Sequence, residues 1–199
     1  MIDDKHNLIL ILLPKTGSSS LVELDFVRRN IDPKKHFVHR HYDDIQDSHM
    51  NYYKVCTCRN PYSKCVSLWS YWNMRFEIAG KSTFKFHNFV LNFDKIVQKV
   101  KQTFGKYEEI HFKGCCESVK FSTNGKLSFD DIDDWIRLEN FQSDLDVVCD
   151  NIGISRQKLK YKLRTKHKHY TEYYNDETKK IIANRYAEDI AYFGYEFGE

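Results

Sequence analysis

Leu8-Ile9-Leu10-Ile11-Leu12-Leu13 sets six branched apolar residues in succession and stops at Pro14. A strand with one wet face alternates apolar and polar residues. An unbroken run needs cover on both faces, as a central strand of a parallel sheet has. The run is also far too short for a membrane span or the core of a secretory signal. Beyond Pro14 come Lys15-Thr16-Gly17 and three serines, after which Leu21, Leu24, Val27 and Ile31 recur at helical spacing. The segment therefore reads as strand, loop and helix.

The remaining chain repeats that alternation. A short extended segment covers His36 to His41, and a strand over Tyr52 to Cys58 breaks at Asn60-Pro61. An aromatic helix follows through Val66, Trp69, Tyr71 and Trp72, whose rings fit core packing or, less simply, the lining of a sugar or adenine site. Phe89, Phe93, Ile96, Val97 and Val100 predict a helix within Phe84 to Phe104, ending near Gly105. Asn124-Gly125 predicts a hairpin turn between Val119-Lys120-Phe121 and Leu127-Ser128-Phe129. Trp135 to Leu138 reads as a strand, and Phe141, Leu145, Val148, Cys149 and Ile152 as a helix ending at Gly153. A last helix carries Ile181, Ile182, Tyr186, Ile190 and Phe193. Strands alternating with helices predict an α/β fold with a mainly parallel sheet, in one domain over residues 1–199.

Composition adds limits. Apolar residues at 41% and charged residues at 30% are those of a globular chain, and a formal charge of +3 gives no argument for nucleic acid or a membrane surface. A soluble, cytoplasmic protein is expected. The cysteines at 56, 58, 65, 115, 116 and 149 form no CxxC pair, so free buried thiols are expected. A disulfide through Cys115, Cys116 or Cys149 stays open only for a secreted chain.

Two segments carry chemistry. A loop entering a helix presents backbone N–H groups to an anion, and the helix adds the positive end of its dipole. Gly17 allows close backbone approach, Ser18, Ser19 and Ser20 add hydroxyls, and Lys15 adds charge. The G-x-x-x-x-G-K-[ST] spacing of the Walker loop is absent. In the second segment, Arg59 ends a strand and Ser67 stands eight residues on, inside the following helix. A guanidinium fork and a neutral hydroxyl suit a second phosphate.

Together, Pro14-Lys15-Thr16-Gly17-Ser18-Ser19-Ser20 and Arg59-Asn60-Pro61 with Ser67 resemble the sulfotransferases that use 3′-phosphoadenosine 5′-phosphosulfate (PAPS). Trp135 to Phe141, Asp144-Leu145, Ile152-Gly153-Ile154 and the C-terminal Tyr173-Tyr174, Glu177-Thr178, Tyr186, Asp189-Ile190 and Phe193-Gly194-Tyr195 are similar to the carbohydrate branch of that superfamily. The resemblance implies a P-loop-like sulfotransferase fold. It implies that Lys15 contacts the transferring sulfuryl group, and that Thr16, Gly17, Ser18, Ser19 and Ser20 hold the 5′-phosphate. Arg59 and Ser67 would hold the 3′-phosphate. PAPS would be the donor, adenosine 3′,5′-bisphosphate the product, and a glycan hydroxyl the acceptor, with no metal required. His39-Arg40-His41 resembles the H-x-H segment that supplies the base in uronosyl 2-O-sulfotransferases, which puts His41 first and His39 second, with Asp43 and Asp44 behind them.

The family's Golgi members carry a membrane anchor and a longer catalytic domain that this sequence does not show. The basic stretch Lys158 to Lys168 is either a solvated loop or a lid over the donor's 3′-phosphate or an anionic acceptor. Two other readings fit the same motifs. One is a non-catalytic glycan- or nucleotide-binding module that keeps the fold, and the other is a kinase with a degenerate phosphate loop.

Overall fold

The computed structural model describes residues 1–30, 44–160 and 168–199. Its strands are β1 (Ile2–Asp3), β2 (Leu8–Ile11), β3 (Tyr53–Cys58) and β4 (Asp134–Arg137). The helices are α1 (Ser18–Leu21), α2 (Asp25–Arg29), α3 (Pro61–Ile78), α4 (Phe86–Leu91), α5 (Phe93–Phe104), α6 (Cys115–Ser122), α7 (Phe141–Asn151), α8 (Asp176–Arg185) and α9 (Ala187–Phe193). The contacts divide the chain into two compact units, neither continuous in sequence. The first comprises Met1–Arg59 and Cys115–Arg164, the second Asn60–Gly114 and Thr165–Glu199.

Among the described residues, the first unit is built on a four-stranded sheet in the order β1-β2-β3-β4. The neighbours β2, β3 and β4 run parallel, and only the two-residue β1 is antiparallel. Both faces of β2 and β3 are covered, which the unbroken apolar run requires. On one face Leu8, Leu10, Leu12, Val55 and Ile136 pack with Leu21, Leu24 and Val27 and with Phe141, Leu145 and Val148 of α7. On the other, Cys56 and Cys58 are fully buried, and Cys115 and Cys116 of α6 lie close to Cys56. Burial, and then the neighbouring thiols, push the Cys56 pKa up. All six cysteines are free and buried, so these thiols act as small apolar residues.

Several predicted elements change form. The helix expected through Leu21, Leu24 and Val27 is two short helices, because Leu24 takes an extended conformation (φ −68°, ψ 139°) before Asp25 opens a new first turn. All three side chains are still buried. The predicted hairpin is wrong. Val119 and Phe121 belong to α6, and Asn124 and Gly125, with φ of 51° and 78°, close that helix through Gly125 N–H donating to Lys120 O at 2.8 Å. Two left-handed residues serve a type I′ turn and a helix C-terminus equally well. What masked the helix is that its buried positions include Ser118 and Ser122, not only Cys115, Cys116 and Val119.

The second unit is an aromatic helical cluster. Tyr62, Trp72, Phe76, Phe89, Phe93, Phe112, Tyr170 and Tyr186 form its core. The run through Trp69 and Trp72 therefore packs as core. Trp72 is fully buried, and Trp69 donates its indole N–H to Phe84 O at 2.7 Å. The helix expected within 84–104 divides at Asn92 into α4 and α5, and the last divides at Tyr186 into α8 and α9. Asn175 caps α8 by accepting from Thr178 N–H at 2.9 Å. Among the described residues, no helix is long and apolar enough to cross a membrane.

Candidate anion-binding site

Parallel strands deliver their following loops to one edge of a sheet, where α/β proteins most often bind ligands. Here β2 runs out into Pro14-Lys15-Thr16-Gly17 and the adjacent β3 into Arg59. The loop's backbone has an unusual sequence of conformations. Lys15 has φ of 67° and Gly17 of 88°, while Thr16 between them and Ser18 at the start of α1 keep negative φ. Alternating handedness turns consecutive N–H groups toward a common centre, which makes an anion-binding concavity. Left-handed backbone is costly for a residue with a side chain, so Lys15 marks stored strain of about 1–2 kcal/mol.

Gly17 is required twice over. Its φ excludes most side chains, and a Cβ there would stand 2.7 Å from Phe141 Cζ and 2.8 Å from Leu138 Cδ1. The loop thus rests on the β4–α7 segment. Helix α1 has only four residues, so it sums few peptide dipoles, and the amides of the loop itself carry the case for an anion.

The Thr16 hydroxyl is turned into the protein. It donates to Leu13 O at 2.7 Å and lies 2.6 Å from Thr57 Oγ1. What Thr16 offers a ligand is its backbone N–H. Ser18 and Ser20 are buried and Ser19 is exposed, and Ser20 N–H donates to Gly17 O at 2.8 Å.

Two cations meet at the loop. Arg59 Nη1 donates to Lys15 O at 3.2 Å. Burial of the Lys15 ammonium, and then repulsion from Arg59, lower its pKa from 10.5 to about 8. Like charges held together beside a concave backbone leave the site tuned for a negative ligand.

The chain matches no known family model, curated protein or solved structure.

A cleft of about 390 Å³ begins at Ser20 of α1, the helix that follows the loop. Glu23, Leu24 and Asp25 line one side, and Arg156, Lys158 and Lys160 the other. Gln142 fixes the second wall: its Oε1 accepts from Leu159 N–H at 2.9 Å and its Nε2 donates to Gln157 O at 3.0 Å. Leu159 consequently points into the core while Lys158 and Lys160 are exposed. Arg156 is already paired with Asp150 at 2.6 Å, which leaves the two lysines as the cleft's more available cations.

The predicted site residues fall into three groups. Lys15, Thr16, Gly17, Ser18, Ser19, Ser20 and Arg59 share the first unit. Ser67 is buried on α3, in the second unit. His39, His41 and Asp43 lie outside the described residues, as do residues 161–167 of the basic stretch, and Asp44 is exposed in a turn. Among the described residues, no group of three or more His, Cys, Asp or Glu is arranged to hold a metal ion.

Sequence reading passed over Thr57, Phe141, Leu138 and Gln142 as contributors to this region. Thr57 had a usable signal. It alternates with Val55 on a strand buried on both faces, and a buried hydroxyl there demands a partner.

Proposed function

We propose that the chain is a sulfotransferase of P-loop-like fold that moves a sulfuryl group from PAPS to an acceptor hydroxyl, with a glycan as the first acceptor class to test. The observation that carries the reading is the loop at Lys15 to Gly17, curled by alternating φ, with the Lys15 and Arg59 cations at the ends of adjacent parallel strands. In this reading the loop amides and Lys15 hold the 5′-phosphosulfate. Arg59 takes the 3′-phosphate. The cleft beside Ser20 receives the nucleoside, with Lys158 and Lys160 at its rim.

The chemistry asked of these residues is electrostatic. The acceptor oxygen forms a bond to sulfur as the bond from sulfur to the bridging phosphate oxygen breaks, and the acceptor's proton passes to a base. The resemblance gives that role to His41 or His39. Negative charge develops on the departing phosphate oxygen, where protonated Lys15 stabilises it most. A bound anion also draws the Lys15 pKa back up from about 8, so donor binding secures the charge that the reaction uses.

Calorimetry with adenosine 3′,5′-bisphosphate tests the proposal. Binding is expected for the wild type, with Arg59→Ala weakening it by about tenfold or more, as for a lost charge-assisted contact. Lys15→Ala should abolish transfer of label from PAPS to every acceptor in a panel of glycans, phenols and tyrosine peptides. Absence of any binding by the folded wild type sinks the assignment.

A further inference from the structure

Leu13, Thr16 and Thr57 are each fully buried, and their polar groups close on one another. Leu13 N–H donates to Thr57 Oγ1 at 2.9 Å, and Thr16 Oγ1 donates to Leu13 O at 2.7 Å. The remaining contact, 2.6 Å between the two hydroxyls, has only one consistent direction. A hydroxyl has one proton. Thr16 places its own on the Leu13 carbonyl, so Thr57 must donate to Thr16. The result is a closed ring in which both hydroxyls donate once and accept once, and Leu13 uses both backbone groups.

The ring joins the interior of β3 to the residues that begin the loop. Leu13 is the last residue before Pro14, and Thr16 stands between the two positive-φ residues Lys15 and Gly17. Arg59, the residue that follows the end of β3, donates to the carbonyl of Lys15 at 3.2 Å. Strand β3 and the residue that follows it thus hold the chain here at Leu13, Lys15 and Thr16, two of them through the ring. Unfavourable backbone conformations persist only where the surroundings over-determine them, and here the surroundings are these bonds.

We infer that Thr57 is a positioning residue: its hydroxyl holds Thr16 and Leu13 so that the loop amides stay converged for an anion before any ligand arrives. Thr57 itself does not touch the ligand, since it is enclosed. The inference deepens the proposed function and rests on that reading for the identity of the anion. A methyl in place of the hydroxyl keeps the volume and the preference for a strand, but removes the acceptor for Leu13 N–H and the donor to Thr16.

The test compares wild type, Thr57→Val, Thr57→Ser and Thr16→Val. Binding of adenosine 3′,5′-bisphosphate and of inorganic pyrophosphate is measured by calorimetry, with the folded fraction fixed by denaturant titration. Thr57→Val should lose about tenfold or more in affinity for the ligand that wild type binds, as expected when a preorganised site is loosened. Thr57→Ser should stay within about threefold, because it rebuilds the ring. Val148→Ala, a truncation in the same core away from the loop, separates positioning from stability: it should lower the denaturation midpoint and leave affinity unchanged. Should Thr57→Val not fold, Thr16→Val breaks the same ring from the other side and is read identically.

A folded Thr57→Val with wild-type affinity overturns the inference and leaves the proposed function standing. Wild type that binds pyrophosphate but not the nucleotide overturns the nucleotide reading, and the ring is then judged with pyrophosphate. Wild type that binds neither overturns both.

Discussion

Gly17→Ala is the substitution whose cost can be worked most directly from the structure. Two independent terms oppose the new methyl. The backbone is left-handed at φ 88°, which costs a residue with a Cβ about 1–2 kcal/mol. The methyl would also lie 2.7 Å and 2.8 Å from two atoms of the Phe141 ring and 2.8 Å from Leu138 Cδ1, well inside ordinary carbon contact. Phe141 is the first residue of α7 and is buried in the core, so it has little room to yield, and overpacking of this kind costs about 1–3 kcal/mol. The sum is about 2–5 kcal/mol, or a fall of roughly 10 °C in Tm for a chain of this length.

Gly125→Ala is the matched control. It lies in the same unit with φ of 78°, and nothing stands within 4 Å of its Cβ position, so it should cost the backbone term alone. Urea titrations of the two variants then isolate the packing term by difference. Pairing Gly17→Ala with Phe141→Leu, which removes the ring atoms nearest the methyl, should recover part of the loss and leave the backbone term. If Gly17→Ala costs no more than Gly125→Ala, the close seating of the loop on Phe141 and Leu138 is refuted.

Three further outcomes are expected. The folded-state pKa of Lys15, about 8, lies below its ordinary 10.5, so the unfolded chain binds that proton more tightly. Stability should therefore rise as pH increases between those two values. Over the same window the affinity for adenosine 3′,5′-bisphosphate should fall by up to roughly one decade per pH unit, since the anion needs the proton returned. Calorimetry across the window reads the slope, and Lys15→Gln should flatten it. A wild-type affinity independent of pH above 8 would contradict the electrostatic role given to Lys15. At the other unit, Asn175→Ala removes the side chain that caps α8 through Thr178 N–H and should cost about 1 kcal/mol in a denaturant titration.

The parallel strands β2, β3 and β4 were legible because hydrophobic pattern and burial coincide there. The run from Leu8 is buried on both faces as read, and β3 and β4 stop within a residue of where Cys58-Arg59 and Leu138 place their ends. Helix spans were less legible, since Leu24, Asn92 and Tyr186 interrupt apolar periodicities without a proline or glycine to announce it. At Leu24 and Asn92 apolar side chains on either side stay buried while the backbone changes direction, and beyond Tyr186 the residues Ile190 and Phe193 are only half-buried. A turn dipeptide misled at Asn124-Gly125, because its conformational preference names the backbone geometry and not the element it ends. The candidate loop was legible as residue types, but not as a conformation. Nothing local requires Lys15 to be left-handed: Arg59 holds its carbonyl, Thr57 holds Leu13 and Thr16 on either side, and Phe141 seats Gly17, contacts made only once the sheet is assembled.

The interleaving of the two units bears on how the chain acquires its sheet. Between leaving the first unit at Arg59 and returning at Cys115, it lays down a long stretch of the second. The bond from Lys54 N–H to the Asp133 carboxylate, where β3 meets β4, closes a separation of 79 residues. Parallel pairing at that distance demands loop-closure entropy before any contact repays it, and such topologies fold slowly. The floor under Gly17 comes from beyond the same separation, in Leu138 and Phe141. On a ribosome, a nascent chain stopped before residue 138 would hold every residue of the loop without the surface that shapes it. Anion affinity should then emerge late in synthesis, as a report on the completed sheet.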